Sequence, residues 1–298
     1  MNRQQEETLN YFRQVAKEWS QKAEGLFKQK VNVIEQRNNY VVDVSKEVNA
    51  KKVLDVGCGS GDLAISLASN GIQCLGLDFS DEMINEAKRK TPSKAKELLS
   101  FECGSFFDFS NANSSFDLVS ANGFIEYISL EQLDEFISKS RELLTKNGSL
   151  VFGSRNRLFN IFSLNAFTEV EIKNGTHTLL LKEAMLFNDN NYIEKLESME
   201  NIPYPNINEK YVKTGDGTII DVTTRYQFTP SQMVKKLAEH GFKTRRISPV
   251  HTHGATSSFK EKEKDVHVVV SDLFYKFTHS RQELIPNSST FMIWAQEK

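Results

Sequence analysis

Apolar positions are spaced along the chain in two alternating rhythms. From Thr8, Leu9, Phe12, Val15, Ala16 and Trp19 fall at spacings of three and four, and Val31, Ile34, Val41, Val42, Val44 and Val48 continue the apolar pattern toward Asn49. That period predicts helix up to Lys51. Lys52–Val56 is then a short apolar run, which predicts a strand, closed by Gly57-Cys58-Gly59-Ser60-Gly61. Helical spacing returns at Leu63, Ile65, Leu67 and Ala68 and stops at Asn70-Gly71, a C-terminal cap pair. Residues 72–77 predict a second strand ending at Asp78. Ser80 caps a helix over 81–90, which Pro92 cuts off.

The alternation continues. Leu99–Cys103 and Phe116–Ala121 predict strands, and 130–144 an amphipathic helix with Leu133, Phe136, Ile137, Leu143 and Leu144 inward. Asn147-Gly148 turns into a fifth strand over 149–154. Strands and helices alternating at this pitch predict an α/β fold, a parallel sheet with helices on both faces. The pattern breaks at Arg155 and resumes at Thr229-Pro230, a cap followed by proline in the first helical turn. His240-Gly241 ends that helix, and a sixth strand covers 242–250. A second irregular stretch, 251–289, precedes a last strand at 290–295. Connections this long in compact domains carry function or disorder. Tyr211-Val212 and Ile219-Ile220, flanking Thr214–Thr218, read as a β-hairpin.

Composition narrows the picture. In 298 residues, Lys and Arg total 37 against 39 for Asp and Glu. That balance argues against a strongly basic nucleic-acid binder. The three cysteines, Cys58, Cys74 and Cys103, show neither C-x-x-C spacing nor an adjacent histidine, so reduced thiols are expected and no metal constellation is visible. Residues 1–7 are polar, without the apolar core of a secretion signal, and no apolar run reaches the ~20 residues of a membrane span. The expectation is a soluble cytoplasmic protein. Its oligomeric state stays open.

The chemistry concentrates at the first strand-to-helix junction. Asp55-Val56-Gly57-Cys58-Gly59-Ser60-Gly61 gives D-x-G-x-G-x-G. Glycines there let the backbone turn tightly and approach a ligand. Asp78, about twenty residues on, is placed for ribose hydroxyls at the carboxyl edge of the sheet. With Gly76-Leu77-Asp78-Phe79-Ser80 and Met83, and with Asn122 to Tyr127 after the fourth strand, the pattern resembles the class I S-adenosylmethionine-dependent methyltransferases. Tyr11-Phe12 through Trp19 is similar to the N-terminal helix of the ubiquinone and menaquinone methyltransferases, either closing over the cofactor there or packing in the core.

The resemblance implies a Rossmann-like, doubly wound seven-stranded sheet of order 3-2-1-4-5-7-6 with the last strand antiparallel. It implies S-adenosyl-L-methionine as cofactor, held by Tyr11, Asp55, Gly57, Cys58, Gly59, Gly61, Asp78, Phe79, Met83, Ser105, Phe106 and Asn122. Ser105 stands where the family often has Asp, with Asp108 a fallback; Asp117 starts its strand away from the site and reads as structural. The domains would be a helical cap over 1–49, a cofactor-binding domain over 50–154 and 229–298, and an inserted substrate lid over 155–228, with a second insertion at 251–289. Both insertions leave from the cofactor edge.

Methyl transfer to a protonated oxygen or nitrogen gains from a base, and histidine is the usual one. His251 and His253 are the candidates, His177 a lesser one; Arg155 and Asn156 are candidate substrate ligands. The apolar stretch Leu158, Phe159, Ile161, Phe162 and Leu164, flanked by arginines, has three open readings: lid core, wall of an apolar substrate pocket, or transient contact with a membrane surface. The expected function is methyl transfer to a small-molecule hydroxyl. The alternatives are an RNA or protein methyltransferase and a non-catalytic cofactor-binding regulator. Lys260–Lys264 alternates in charge and reads as a solvated helix, which disfavours nucleic acid as partner.

Overall fold

The computed structural model describes residues 6–13, 32–110, 115–165, 167–204, 226–277 and 281–298. The elements run α1 (6–13), α2 (Val33–Glu47), β1 (Lys52–Val56), α3 (Asp62–Ser69), β2 (Gln73–Asp78), α4 (Asp81–Lys90), β3 (Leu99–Cys103), β4 (Phe116–Ala121), α5 (Leu130–Leu143) and β5 (Leu144–Arg155). Then come α6 (Phe159–Phe162), α7 (Thr168–Lys173), α8 (His177–Leu186), α9 (Tyr192–Ser198), α10 (Pro230–Glu239), β6 (Phe242–Thr252), α11 (Ser257–Lys262), α12 (Lys264–Tyr275) and β7 (Ser288–Glu297).

The strands form one sheet of order β3-β2-β1-β4-β5-β7-β6. Parallel pairing joins β3 to β2, β2 to β1, β1 to β4 and β4 to β5. β7 is antiparallel to both neighbours. The central strands β1 and β4 are largely buried on both faces, in keeping with their mostly apolar runs. On one face Tyr40, Val41 and Val44 of α2 and Leu63 and Leu67 of α3 pack with Val53, Met292 and Trp294. On the other, Leu133, Phe136 and Ile137 of α5 and Met233 and Leu237 of α10 pack over Leu54, Val119, Phe152 and Phe291.

Local chemistry fixes the helix starts. Ser80 Oγ accepts the Met83 amide at the head of α4. Ser129 with Gln132, and Thr229 with Gln232, form capping boxes on α5 and α10. Each satisfies amides that a helix start leaves without partners. At the foot of the sheet the Asp117 carboxylate accepts the Lys51 and Lys52 amides (2.8 and 3.0 Å), the structural role its position suggested.

Three features depart from the sequence pattern. β5 begins at Leu144, not at residue 149, because Asn147 takes a left-handed backbone (φ 63°) and the pairing slips between Phe116 and Leu118. The long connection after β5 is helical over α6–α9. Its ties are buried polar contacts: Arg157 grips Glu171 with Nε and Nη2 (2.8 and 2.7 Å), and Ser231 donates to Glu183 through its amide and hydroxyl (2.8 and 2.6 Å). β6 runs on through His251 and Thr252. The expected hairpin around 211–220 and most of the stretch joining α1 to α2 lie outside the described residues. Among the described residues no helix is long and apolar enough to cross a membrane.

Candidate active site

The loop after β1 is knitted to the end of β2. Gly57 and Cys58 amides both donate to the Leu77 carbonyl (2.8 and 3.1 Å), and the Gly59 amide donates to Asp78 Oδ2 (2.9 Å). The Ser80 amide takes Asp78 Oδ1 (2.9 Å). Gly57, Gly59 and Gly61 all have left-handed backbones (φ 68°, 52° and 78°), where a side chain is strained. At Gly61 a Cβ would also lie 2.8 Å from the Phe101 ring.

Above this loop lies a cleft of about 1150 Å³, part of it open to solvent. The loop (Gly57 to Ser60), Asp55, Asp78, Phe79 and Met83 form its floor. Ser105, Phe106, Asn122, Phe124 and Tyr127 form one wall; Thr8 and Phe12 of α1 with Ile34, Arg37 and Asn38 of α2 form the other. Of the twelve residues expected at the cofactor, two fall elsewhere. Gly61 faces Phe101 and Ala87 rather than the cleft. Tyr11 is replaced on the wall by Thr8 and Phe12, because positions four apart share a helix face and Tyr11 sits one step off it. Tyr11 instead packs edge-on against Phe12 (5.2 Å between ring centres). The Ser105 hydroxyl accepts the Phe107 amide (3.2 Å), so it shapes the turn after β3.

The acids sit in low-dielectric ground. Burial pushes the Asp55 carboxyl up to about 7, against the Ser120 hydroxyl bond (2.8 Å) and with help from the neighbouring Asp78 and Asp62 charges. Burial pushes Asp78 up to about 6, against the Ser80, Gly59 and Phe79 amides. A cationic ligand in the cleft would favour both charged forms. Burial also holds the Cys58 thiol well above its ordinary range, so it stays protonated and is no nucleophile.

Two buried polar atoms on the cleft wall, Thr8 Oγ1 and Asn122 Oδ1, lack a hydrogen-bond partner. Such atoms are costly unless a ligand completes them. With the Asp78 carboxylate and the glycine loop, they suit the hydroxyls, amino group and positive charge of an adenosyl amino acid.

Residues 53–148 match the family model described as a methyltransferase domain. A methyltransferase domain thus occupies about a third of the chain, and its motifs and strand order fit the class I S-adenosylmethionine-dependent kind. Its cofactor is S-adenosyl-L-methionine. Among curated relatives, the ubiquinone biosynthesis O-methyltransferase of Vibrio campbellii is 29% identical over 174 residues, 57% of this chain and 72% of that protein. The protein of the same name from Yersinia pestis is 41% identical, but the match covers 28% of this chain and 34% of that one. Among solved structures, the magnesium protoporphyrin IX methyltransferase of Synechocystis PCC 6803, with bound SAH, aligns over 98% of both chains at TM-score 0.55 and 15% identity. An S-adenosylmethionine-dependent methyltransferase from Listeria monocytogenes aligns over 89% of this chain and 98% of its own at TM-score 0.52 and 18% identity. At these identities the two structures speak for the fold.

The residues expected to act on the acceptor lie apart from the cleft. His251 and His253 do not line it. Burial holds His251 well below its ordinary range and His253 down to about 3, so both imidazoles are neutral and weakly basic near pH 7, which suits a general base poorly. They form a group with His267 of α12, each offering a ring nitrogen within 4.8 Å of the others. The expectation of no metal-ligating cluster thus changes: sequence spacing hides a trio that only the packing of α12 on β6 assembles. Asn156 is a buried brace, donating to the Ile285 and Ser288 carbonyls (2.6 and 2.9 Å). Arg155 pairs with the buried Glu126 (3.3 Å). His177 starts α8 and does not line the cleft. The apolar stretch of the first insertion divides: Leu158 is wholly buried, whereas Phe162 and Leu164 are exposed.

The sequence reading missed Arg37 and Asn38. Asn38 Oδ1 accepts from Asn122 Nδ2 (3.2 Å), and Arg37 Nη2 donates to Thr290 Oγ1 (2.9 Å). Their signal was their place three and four residues after Ile34, on the same helix face.

Proposed function

We propose that this methyltransferase acts on the hydroxyl oxygen of a small molecule. The observation that carries the reading is the cleft's closure by the chain's own helices: α1 and α2 supply a whole wall, and Phe12 packs edge-on against Tyr127 across it (5.3 Å). A space roofed in this way suits a compact acceptor better than a polymer. The similarity to proteins named as ubiquinone biosynthesis O-methyltransferases supports an aromatic hydroxyl compound as the first class to try.

S-adenosylmethionine supplies a methyl group already activated on a sulfonium. The protein's task is then to hold donor and acceptor in line, where orientation alone gives large rate gains. In this reading Asp78 binds the ribose, the glycine loop and Asn122 hold the amino-acid end, and Phe79, Met83 and Phe106 flank the adenine. Residues 155–228 serve as substrate lid: their return passes the cleft, where the Tyr226 amide donates to the Glu126 carbonyl (2.9 Å) beside Tyr127.

The test is incubation of the purified chain with methyl-labelled S-adenosylmethionine and a panel of phenols, alcohols and amines, alongside RNA and protein. Label on a hydroxylated small molecule, lost in Asp78→Ala, is expected. Label only on RNA or protein, or cofactor binding with no transfer to any acceptor, would overturn the reading.

A further inference from the structure

The histidine trio lies outside the cleft and has no place in methyl transfer as described. His251 is in β6, His253 follows it by one turn of chain, and His267 comes from the first half of α12. The ring centres of His253 lie 4.4 Å from His251 and 4.5 Å from His267. His253 and His267 are buried. Gly254 permits the meeting: a Cβ there would stand 2.5 Å from Val270 Cγ1, so α12 is pressed against the turn that carries His253. Phe159 of α6 closes the other side, edge-on to His253 at 4.6 Å. His251 itself holds a left-handed backbone (φ 54°), uncommon for residues other than glycine.

The hydrogen bonding within the trio is poor. His253 Nδ1 is buried without a partner. His253 Nε2 stands 3.4 Å from His251 Nδ1, and His267 Nε2 stands 3.5 Å from Ser271 Oγ, whose hydroxyl already donates to the Thr252 carbonyl (2.8 Å). Those contacts are near the limit of a hydrogen bond. The His253–His251 separation is natural for nitrogens that share an ion: two ligands bonded at ~2.0–2.1 Å to one tetrahedral centre stand about 3.3–3.4 Å apart, and the His267 nitrogen lies within 4.8 Å of both. Ser289 Oγ, 2.9 Å from His251 Nδ1, adds a neutral oxygen beside the site.

We propose that His251, His253 and His267 form a binding site for one divalent transition-metal ion of the imidazole-preferring kind, such as zinc, clamping α12 to the end of β6. Neutral imidazoles are the form that ligates, and burial keeps all three of these neutral. The apolar wall from Phe159 and Val270 keeps water away and strengthens such bonds. The charges that oppose a cation here are Lys260 of α11, which acts on all three rings, and Arg37 of α2, which acts on His251. Burial already pushes Lys260 toward its neutral form. With three protein ligands, the fourth position stays open to water or another oxygen donor.

The test uses the full chain without an affinity tag, stripped with a chelator and titrated with zinc against a chromophoric competitor. One tight equivalent is expected. His253→Ala and His267→Ala should each weaken it by on the order of 100-fold, Lys260→Met should tighten it several-fold, and Cys103→Ser, at an exposed thiol, should leave it unchanged. Binding of S-adenosylhomocysteine to each variant checks that the sheet domain is intact. Cobalt titrated into the wild-type chain needs no variant: the intense visible bands of a low-coordinate nitrogen site are expected. Only the faint spectrum of the aqua ion, no stoichiometric zinc on the wild type, or equal affinity in His253→Ala and wild type would overturn the site.

Discussion

The Asp78 carboxylate at the end of β2 accepts the Gly59 amide of the loop after β1 at 2.9 Å, so the group proposed to bind the ribose also holds the glycine loop in place. Removing it therefore costs twice, once in ligand contact and once in the order of the loop. Hydrogen bonds to charged groups contribute ~1.5–3 kcal/mol each. Asp78→Ala should weaken S-adenosylhomocysteine binding by on the order of 100-fold in calorimetry. Asp78→Asn, which keeps one acceptor oxygen, should lose less.

Asp55 gives the chain a pH signature. Its carboxyl is raised from an ordinary 3.8 to about 7. A raised folded-state value means the protonated form is favoured by folding. The stability this contributes is complete below pH ~4 and is lost as pH rises through about 7. A shift of that size corresponds to about 4 kcal/mol as an order of magnitude. Asp55→Asn keeps an acceptor for Ser120 but cannot ionise. Urea unfolding of the cofactor-free protein should find the variant more stable than wild type at pH 8, with the gap closing toward pH 5. A gap independent of pH would show that Asp55 does not titrate in this window.

The wall contributed by α1 distinguishes neighbouring aromatic residues. Phe12 lines the cleft and Tyr11 does not. Phe12→Ala should weaken cofactor binding roughly tenfold, in line with loss of an aromatic contact of ~0.5–1.5 kcal/mol beyond its buried area. Tyr11→Phe should leave affinity unchanged by the same calorimetric measurement.

Most of the sheet was readable from the pattern, because β1 and β4 are short, mostly apolar runs and β3 alternates apolar and polar residues, and Ser80, Ser129 and Thr229 announce helix starts through side chains that bond locally. The floor of the cleft was readable for the same reason: Gly57, Gly59 and Asp78 belong to one strand–helix–strand unit. What stayed hidden depends on distant partners. Phe12, Arg37 and Asn38 reach the cleft only because α1 and α2 fold over it. The helices after β5 rest on Arg157 with Glu171 and on Glu183 with Ser231, polar pairs that a hydrophobic pattern cannot reveal. The histidine trio joins a strand end to a helix in a later segment, and no spacing rule connects His253 to His267.

The Arg157–Glu171 pair is buried on both sides, each side chain 1% exposed. Arg157→Leu should destabilise the chain by about 3–5 kcal/mol, since it strands a buried carboxylate. The double variant Arg157→Leu with Glu171→Leu should recover much of that loss. Chemical unfolding of the two variants side by side checks it; a double variant no more stable than the single one would contradict the burial of this pair.

We expect the cleft between the glycine loop and α1 to hold an adenosyl amino acid and orient its methyl. A crystal structure of the chain with S-adenosylhomocysteine tests this most directly. Ribose hydroxyls on Asp78, the amino-acid end by the glycine loop and Asn122, and Phe12 over the ligand are expected. Density for the ligand elsewhere, or a ribose with no contact to Asp78, would contradict it.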